Sequence, residues 1–211
     1  MSRLIRELLE AIVLALLVFF VILISVQNFR VEGPSMRPLL NGGEYLMVNK
    51  LSHFRLDMER LARLVPFWNV DPEGDNQKYL AFSHPAQRGE VIVFQAPSMP
   101  DQAYVKRVIG LPGERVEIRD GKVLINGEPL AEPYLTQSNV VGSMTCIPTL
   151  RQFDCILQEG QYFVLGDNRS RSNDSRDWGP VTVDEIIGEV WFIYWPPSRL
   201  PFVGAFVEDD S

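Results

Sequence analysis

Three short stretches hold side chains whose types and order could do chemistry. The first is Gly33-Pro34-Ser35-Met36-Arg37-Pro38, where a serine stands among turn-forming residues. A serine hydroxyl is a poor nucleophile until a neighbouring base takes its proton. Histidine is the usual base, and the chain has two, His53 and His84. Neither lies in a segment punctuated like the one around Ser35, and both read as surface-loop residues. Lysine is the other option, because burial disfavours its ammonium form and draws its pKa down towards neutrality. Lys106 is the candidate, within the apolar, strand-like run Tyr104-Val105-Lys106-Arg107-Val108-Ile109. Strand alternation puts it on one face with Tyr104 and Val108. The plainer reading is a strand lysine whose stem packs while its head reaches water.

The third stretch is Gly166-Asp-Asn-Arg-Ser-Arg-Ser-Asn-Asp-Ser-Arg-Asp-Trp-Gly179, dense in polar groups that could satisfy one another in a buried loop. A calcium loop would want net negative oxygen ligands, and the three arginines weaken that reading. Asn168-Arg169-Ser170 and Asn173-Asp174-Ser175 match the glycosylation acceptor pattern, which is common by chance. Cys146 and Cys155 are nine positions apart. Outside the cytoplasm such a pair reads as a disulfide, stabilising by about 2–3 kcal/mol on the loop-entropy estimate. Two inert thiols are the alternative. A zinc site with His53 and His84 lacks ligand spacing, so no metal is expected.

These groups need elements to position them, and the first is an apolar segment near the start. Ala11–Val26 is sixteen residues without a charge, and extending it back across Glu10 to Leu8 gives nineteen. That is close to the roughly 20 a spanning helix needs. A cleavable signal peptide would end in small residues at −3 and −1. Here the run ends Ile24-Ser25-Val26-Gln27-Asn28-Phe29, so an uncleaved anchor over 8–27 is expected. Arg3 and Arg6 precede it and Arg30 follows. By the positive-inside rule, residues 1–7 are then cytoplasmic and 30–211 lie outside, on a plasma membrane crossed once. Ser35, nine residues past Val26, stays within about 30 Å of the bilayer even on a fully extended chain. It can meet only substrates that are themselves at the membrane surface.

Residues 30–211 fit one domain by length, and they read mostly as strands. Glu44–Lys50 follows the turn Asn41-Gly42-Gly43, and Val91-Ile92-Val93-Phe94 has the continuous apolar character of a strand buried on both faces. Arg115–Arg119 and Lys122–Ile125 flank Asp120-Gly121, which predicts a hairpin with a type I′ turn. Tyr162–Leu165 and Val190–Tyr194 add two more strands. Short strands between Gly/Pro turns predict an all-β class, a mostly antiparallel barrel or sandwich behind the helical anchor. One stretch, about 52–87, looks inserted. Within it Met58, Leu61, Ala62 and Val65 fall at helical spacing, so Leu56–Val65 is expected to be an amphipathic helix packed on the domain.

Taken together, Gly33–Leu40, Arg88–Phe94, Tyr104–Gly113 and Gly166–Arg176, in that order behind an anchor, resemble the conserved boxes of bacterial type I signal peptidase. The boxes cover about a fifth of the chain. The resemblance implies a serine endopeptidase that removes signal peptides from secreted pre-proteins by a Ser/Lys dyad, one of the variants of triad logic. It implies Ser35 as nucleophile, Lys106 as general base and Ser172 as the hydroxyl that orients the lysine. Arg107, Asp174 and Arg176 match a structural charge cluster. Gly33, Pro34 and Met36 match the oxyanion and substrate-groove region, with shallow pockets for small residues at −1 and −3. Gly33 departs from those members with a serine there, so one oxyanion donor is missing. No cofactor is implied. The implied partners are pre-proteins and the lipid bilayer. A net charge of −7 argues against nucleic acid. Two rival readings are a self-cleaving repressor-like Ser/Lys protease, which would be soluble and carry a DNA-binding module, and a catalytically inactive membrane-tethered β-domain that only binds an extracytoplasmic partner.

Overall fold

A computed structural model describes residues 2–50, 55–57, 79–81, 85–97, 99–135 and 156–199. The apolar segment forms a long helix, α1 (Ser2–Ser25). It ends two residues before the expected Gln27. Val26 and Gln27 instead open β1 (Val26–Arg30), which pairs antiparallel with β2 (Tyr45–Asn49) from Val26↔Asn49 to Arg30↔Tyr45. A partner strand twenty residues downstream claims the backbone that hydropathy alone assigns to the helix.

The remaining strands are β3 (Arg55–Asp57), β4 (Tyr79–Ala81), β5 (Val91–Ala96), β6 (Met99–Gly110), β7 (Val116–Arg119), β8 (Lys122–Ile125), β9 (Glu128–Pro129), β10 (Gln161–Leu165), β11 (Val181–Thr182) and β12 (Ile186–Trp195). Seven of them form one antiparallel sheet in the order β1-β2-β12-β5-β6-β10-β11. The expected mostly antiparallel β architecture is therefore present. β7, β8 and β9 make a separate three-stranded sheet. Its two tight turns carry positive φ at Asp120 and Gly121, and at Asn126 and Gly127. Positive φ at both central residues is the type I′ requirement, which explains why Asx-Gly stands at each.

The expected helix over Leu56–Val65 is corrected at its start. Leu56 and Asp57 lie in β3, paired with Leu80 and Tyr79 of β4. Cross-strand pairing overrides local helical spacing, because periodicity carries no information about a partner more than twenty residues away. Residues 58–65 lie outside the described residues, as do Cys146, Cys155, His53 and His84.

β5 shows why the central sheet is stable. Val91, Ile92, Val93 and Phe94 are all buried, so both faces of the strand are covered. Val91 and Val93 pack with Met36, Leu40, Leu46 and Val190 on one side. Ile92 and Phe94 pack with Val108, Val164 and Trp178 on the other. A third cluster joins Ile109, Phe163 and Leu165 to Val116 and Val123 of the small sheet.

Candidate active site

Lys106 sits in the middle of β6, opposite Ile92 of β5. On its own face it neighbours Tyr104, whose ring centre lies 5.4 Å from Nζ. The lysine is only 2% exposed. Its Nζ donates to Ser35 Oγ at 2.9 Å and to the Val105 carbonyl at 3.0 Å. Burial is the main influence on its proton and lowers the pKa from 10.5 to about 8, against the pull of Asp174 and then Asp167, with Arg176 adding to the lowering. Once the lysine is neutral, the serine hydroxyl can donate across the same short distance.

Ser35 comes from the turn after β1, where Arg37 N–H donates to Pro34 carbonyl at 3.2 Å and Leu40 N–H to Met36 carbonyl at 2.9 Å. The turn is tied to the Gly166–Gly179 loop. Asn168 N–H donates to the Ser35 carbonyl at 2.9 Å, and its side-chain amide to the Pro34 carbonyl at 3.1 Å. The two segments touch so closely at Gly166 that a Cβ there would lie 2.6 Å from the Ser35 carbonyl oxygen. Only glycine allows that approach.

Behind Ser35 and Lys106 lie two ion pairs, one wholly buried and one largely so. Arg107 grips both oxygens of Asp167 at 2.9 and 2.7 Å and donates to the Gly89 carbonyl at 2.7 Å. Arg176 grips both oxygens of Asp174 at 2.7 and 2.9 Å. The second oxygen of Asp174 also accepts the Gly166 N–H at 3.0 Å. The sequence expectation of one cluster of Arg107, Asp174 and Arg176 thus resolves into two pairs, and Asp167 is the partner that reading missed. Asn168 was missed as well. Both lie in the Gly166-Asp-Asn-Arg169 box, but spacing along the chain does not say which carboxylate meets which arginine.

Ser172 Oγ is buried and makes no hydrogen bond to protein, so the expected bond to Lys106 is not formed in this structure. Its hydroxyl packs against Gly166. Met36 also differs from expectation. It is 1% exposed and packs in the core with Leu40 and Leu46. It is not among the residues that line the groove.

The groove itself has a volume of about 520 Å³ and contains Ser35 and Lys106, with Phe29, Val31, Gly33 and Val105 among its walls. Gly33 lines it with φ +83° and open space around its missing side chain. β1 and β6 stand four strands apart in the sheet, about 19 Å on a flat ladder of ~4.8 Å spacings. That both flank one groove means the sheet curls around it.

Among the described residues, no set of three or more His, Cys, Asp and Glu side chains could hold a metal ion. A serine paired with a buried lysine of lowered pKa, both lining one groove, is the equipment of a lysine-assisted serine hydrolase. Comparison with known proteins gives the family. Residues 5–195 match the description "Signal peptidase, peptidase S26", and the chain belongs to that family. It is a serine endopeptidase. A probable signal peptidase I-1 from Synechocystis is 34% identical over 207 residues, covering 94% of this chain and 85% of that protein. Signal peptidase I from Bacillus caldolyticus is 37% identical over 180 residues, covering 83% and 82%. A crystal structure of signal peptidase I from Enterococcus faecalis is 40% identical, with a TM-score of 0.45, covering 50% of this chain and 97% of that one.

Proposed function

We propose that Ser35 and Lys106 form the catalytic dyad of a membrane-tethered enzyme that removes signal peptides from pre-proteins. The single observation that carries this reading is the 2.9 Å contact between the Ser35 hydroxyl and a lysine whose pKa burial has brought to about 8. Neutral Lys106 takes the proton as Ser35 Oγ attacks the carbonyl carbon of the scissile bond. The resulting ammonium returns that proton to the leaving amine, giving an acyl-enzyme that water then hydrolyses by the same exchange. Among the described residues no hydrogen bond takes up the Ser35 N–H, which leaves it available to the oxyanion. Arg107–Asp167 and Arg176–Asp174 support the site structurally. In this reading Ser172, packed against Gly166, is the hydroxyl that orients the lysine. The groove walls of Phe29, Val31 and Val105 suit small apolar side chains at −1 and −3. The rival of an inactive partner-binding domain is unsupported, since the relatives carry peptidase names and the dyad is assembled.

Tethering is part of the same proposal. Counted over the described residues, no helix is long and apolar enough to cross a membrane. Arg6, Glu7 and Glu10 fall in every eighteen-residue stretch between Arg3 and Leu23. The full sequence, however, continues apolar through Ile24, and α1 runs 24 residues, about 36 Å at the helical rise. Its side chains from Arg3 to Leu23 are all exposed, which water would penalise and lipid would not. Exposed Tyr45, Trp191 and Trp195 on the adjoining strands suit an interface. The reading places the N-terminus in the cytoplasm and the β domain outside.

The test is cleavage of a pre-protein with Ala at −1 and −3 by the full chain in detergent. Log(kcat/KM) rises with pH through about 8 and then flattens, and Ser35→Ala cleaves nothing. Leu at −1 stops processing. An acid limb that disappears when His53 and His84 are both replaced makes histidine the base and overturns the dyad.

A further inference from the structure

Ser35 and Lys106 are 71 residues apart in sequence, yet their side chains meet at 2.9 Å. One comes from a loop and the other from a strand, so something must fix the registry between them. On the lysine side, the next residue is Arg107, wholly buried on the opposite face of β6. On the serine side, Asn168 ties down the Ser35 and Pro34 carbonyls, and the next residue is Arg169. In each case one residue touches the dyad segment and its neighbour is an arginine.

Both arginines are gripped by the same short stretch, Glu132–Tyr134, just after β9. The Tyr134 ring lies 4.1 Å from the Arg107 guanidinium. The Tyr134 hydroxyl donates to Glu132 Oε1 at 2.6 Å. Glu132 Oε2 accepts from Arg169 Nη1 at 3.0 Å, Glu132 Oε1 accepts from Arg169 Nη2, and Arg169 Nη2 also reaches the Tyr134 hydroxyl at 3.5 Å. Arg169 Nε donates inward to the Gly166 carbonyl at 3.1 Å. Arg169 is 5% and Glu132 10% exposed, so this pair is little screened by water. Tyr134 also packs on the cluster of Ile109 and Leu165, which belong to the strands carrying Lys106 and the Gly166 loop.

We propose that Glu132 and Tyr134 are positioning residues for the reaction: one strap clamps the loop that holds Ser35 to the strand that carries Lys106. The proposal rests on the dyad reading above. The strap touches neither substrate nor reacting atoms, and acts only through Arg107 and Arg169. A rigid planar guanidinium suits this role, because stacking and bidentate bonding fix its position in more directions than an ammonium could be fixed.

The experiment measures kcat and KM for full-length Tyr134→Ala, Glu132→Gln and Tyr134→Phe in detergent, at a temperature where unfolding curves show each variant folded. Misplacing a reacting pair by a fraction of an ångström to an ångström lowers kcat about 10–100-fold, so Tyr134→Ala and Glu132→Gln should fall in that range with KM little changed. Tyr134→Phe keeps the ring over Arg107 and should recover most of kcat. The double Tyr134→Ala, Glu132→Gln should be no worse than the poorer single, because both loosen one registry. Wild-type kcat in folded Tyr134→Ala or Glu132→Gln overturns the proposal, and so does a loss confined to KM or to thermal stability. Glu132→Gln, nearly isosteric, decides the matter if Tyr134→Ala fails to fold. Ser35→Ala is run beside them. If it still cleaves, the dyad reading fails; if it is dead while the strap variants are fully active, only the strap fails.

Discussion

The two faces of β6 treat a cation in opposite ways. Lys106 and Arg107 are successive residues, 2% and 0% exposed, and alternation sends them to opposite sides of the sheet. On one side Arg107 finds a carboxylate in direct bidentate contact and a third acceptor in Gly89. On the other, Lys106 finds a hydroxyl and a carbonyl, while Asp174 and Asp167 act on it only from a distance. Burial is nearly equal, and what differs is the partner in contact: a carboxylate offsets the cost of burying Arg107, whereas only neutral groups touch Lys106. Guanidinium chemistry reinforces the split, since arginine does not give up its proton in a protein.

The largest test of that contrast exchanges the chemistry of the lysine. Lys106→Arg keeps the charge but cannot become neutral, and Lys106→Ala removes the group. Each should lower kcat by about 10⁴-fold or more, with little further loss when Ser35→Ala is added, because a dyad acts as a unit. Processing of a secretory precursor by each variant measures this. Cleavage by Lys106→Arg within tenfold of wild type breaks the distinction between the two faces.

The next test removes the partner instead. Asp167→Ala leaves the Arg107 guanidinium buried and uncompensated, which costs about 3–5 kcal/mol of stability. Replacing both, as Arg107→Met with Asp167→Leu, should restore most of it, since an apolar pair needs no charge partner. Urea unfolding of the three proteins separates these outcomes. A single variant as stable as wild type shows that the pair is not holding the loop.

A smaller effect comes from the cost of burying Lys106 itself. Below about pH 8 folded and unfolded chains both carry its proton, and the fold bears the full burial penalty. Between about 8 and 10.5 the unfolded chain holds a proton the folded chain has shed, so wild-type stability rises with pH. Lys106→Met should therefore be more stable than wild type at pH 7, and its advantage should shrink as pH climbs to 10. An advantage independent of pH excludes the buried ammonium as its source.

How much of this was readable beforehand differs by element. The run Val91–Phe94 declared a two-sided buried strand, and Asp120-Gly121 declared its turn, because each signal is local. The apolar neighbours of Lys106 left two readings open, a buried head and the plainer one of a head reaching water, and the structure buries it. β1 was hidden, since its first residue, Val26, prolongs the apolar run of α1 and its identity comes from pairing with β2. β3 was hidden beneath helical spacing for the same reason. At the site, residue types were legible but partners were not. Asp167, Asp174, Arg107 and Arg176 all lie in recognisable boxes, and only the folded arrangement pairs Arg107 with Asp167. Met36 beside the nucleophile looked like groove lining, and the structure packs it in the core. Glu132 and Tyr134 gave no signal, because their role depends on two arginines 25 or more residues away.

The smallest effect concerns the nucleophile turn itself. Loss of one oxyanion donor typically costs ~10²–10³ in kcat, and Gly33 carries no hydroxyl where a donor could stand. Pro34 has no N–H to substitute. Gly33→Ser would supply a hydroxyl two residues before Ser35, and a Cβ there meets no atom within 4 Å. Space is therefore not the obstacle. The backbone is, because φ at Gly33 is +83°, a region that costs an L-residue about 1–2 kcal/mol. The turn can absorb that cost by staying strained or by rotating φ. Rotation shifts Pro34 and Ser35 off the carbonyl contacts with Asn168, which lowers kcat rather than raising it. Gly33→Ser should accordingly unfold at a lower temperature and cleave at the wild-type rate or below. Single-turnover cleavage beside wild type decides it. A gain of tenfold or more shows that the oxyanion hole was short of a donor and that the positive φ is no barrier to supplying one.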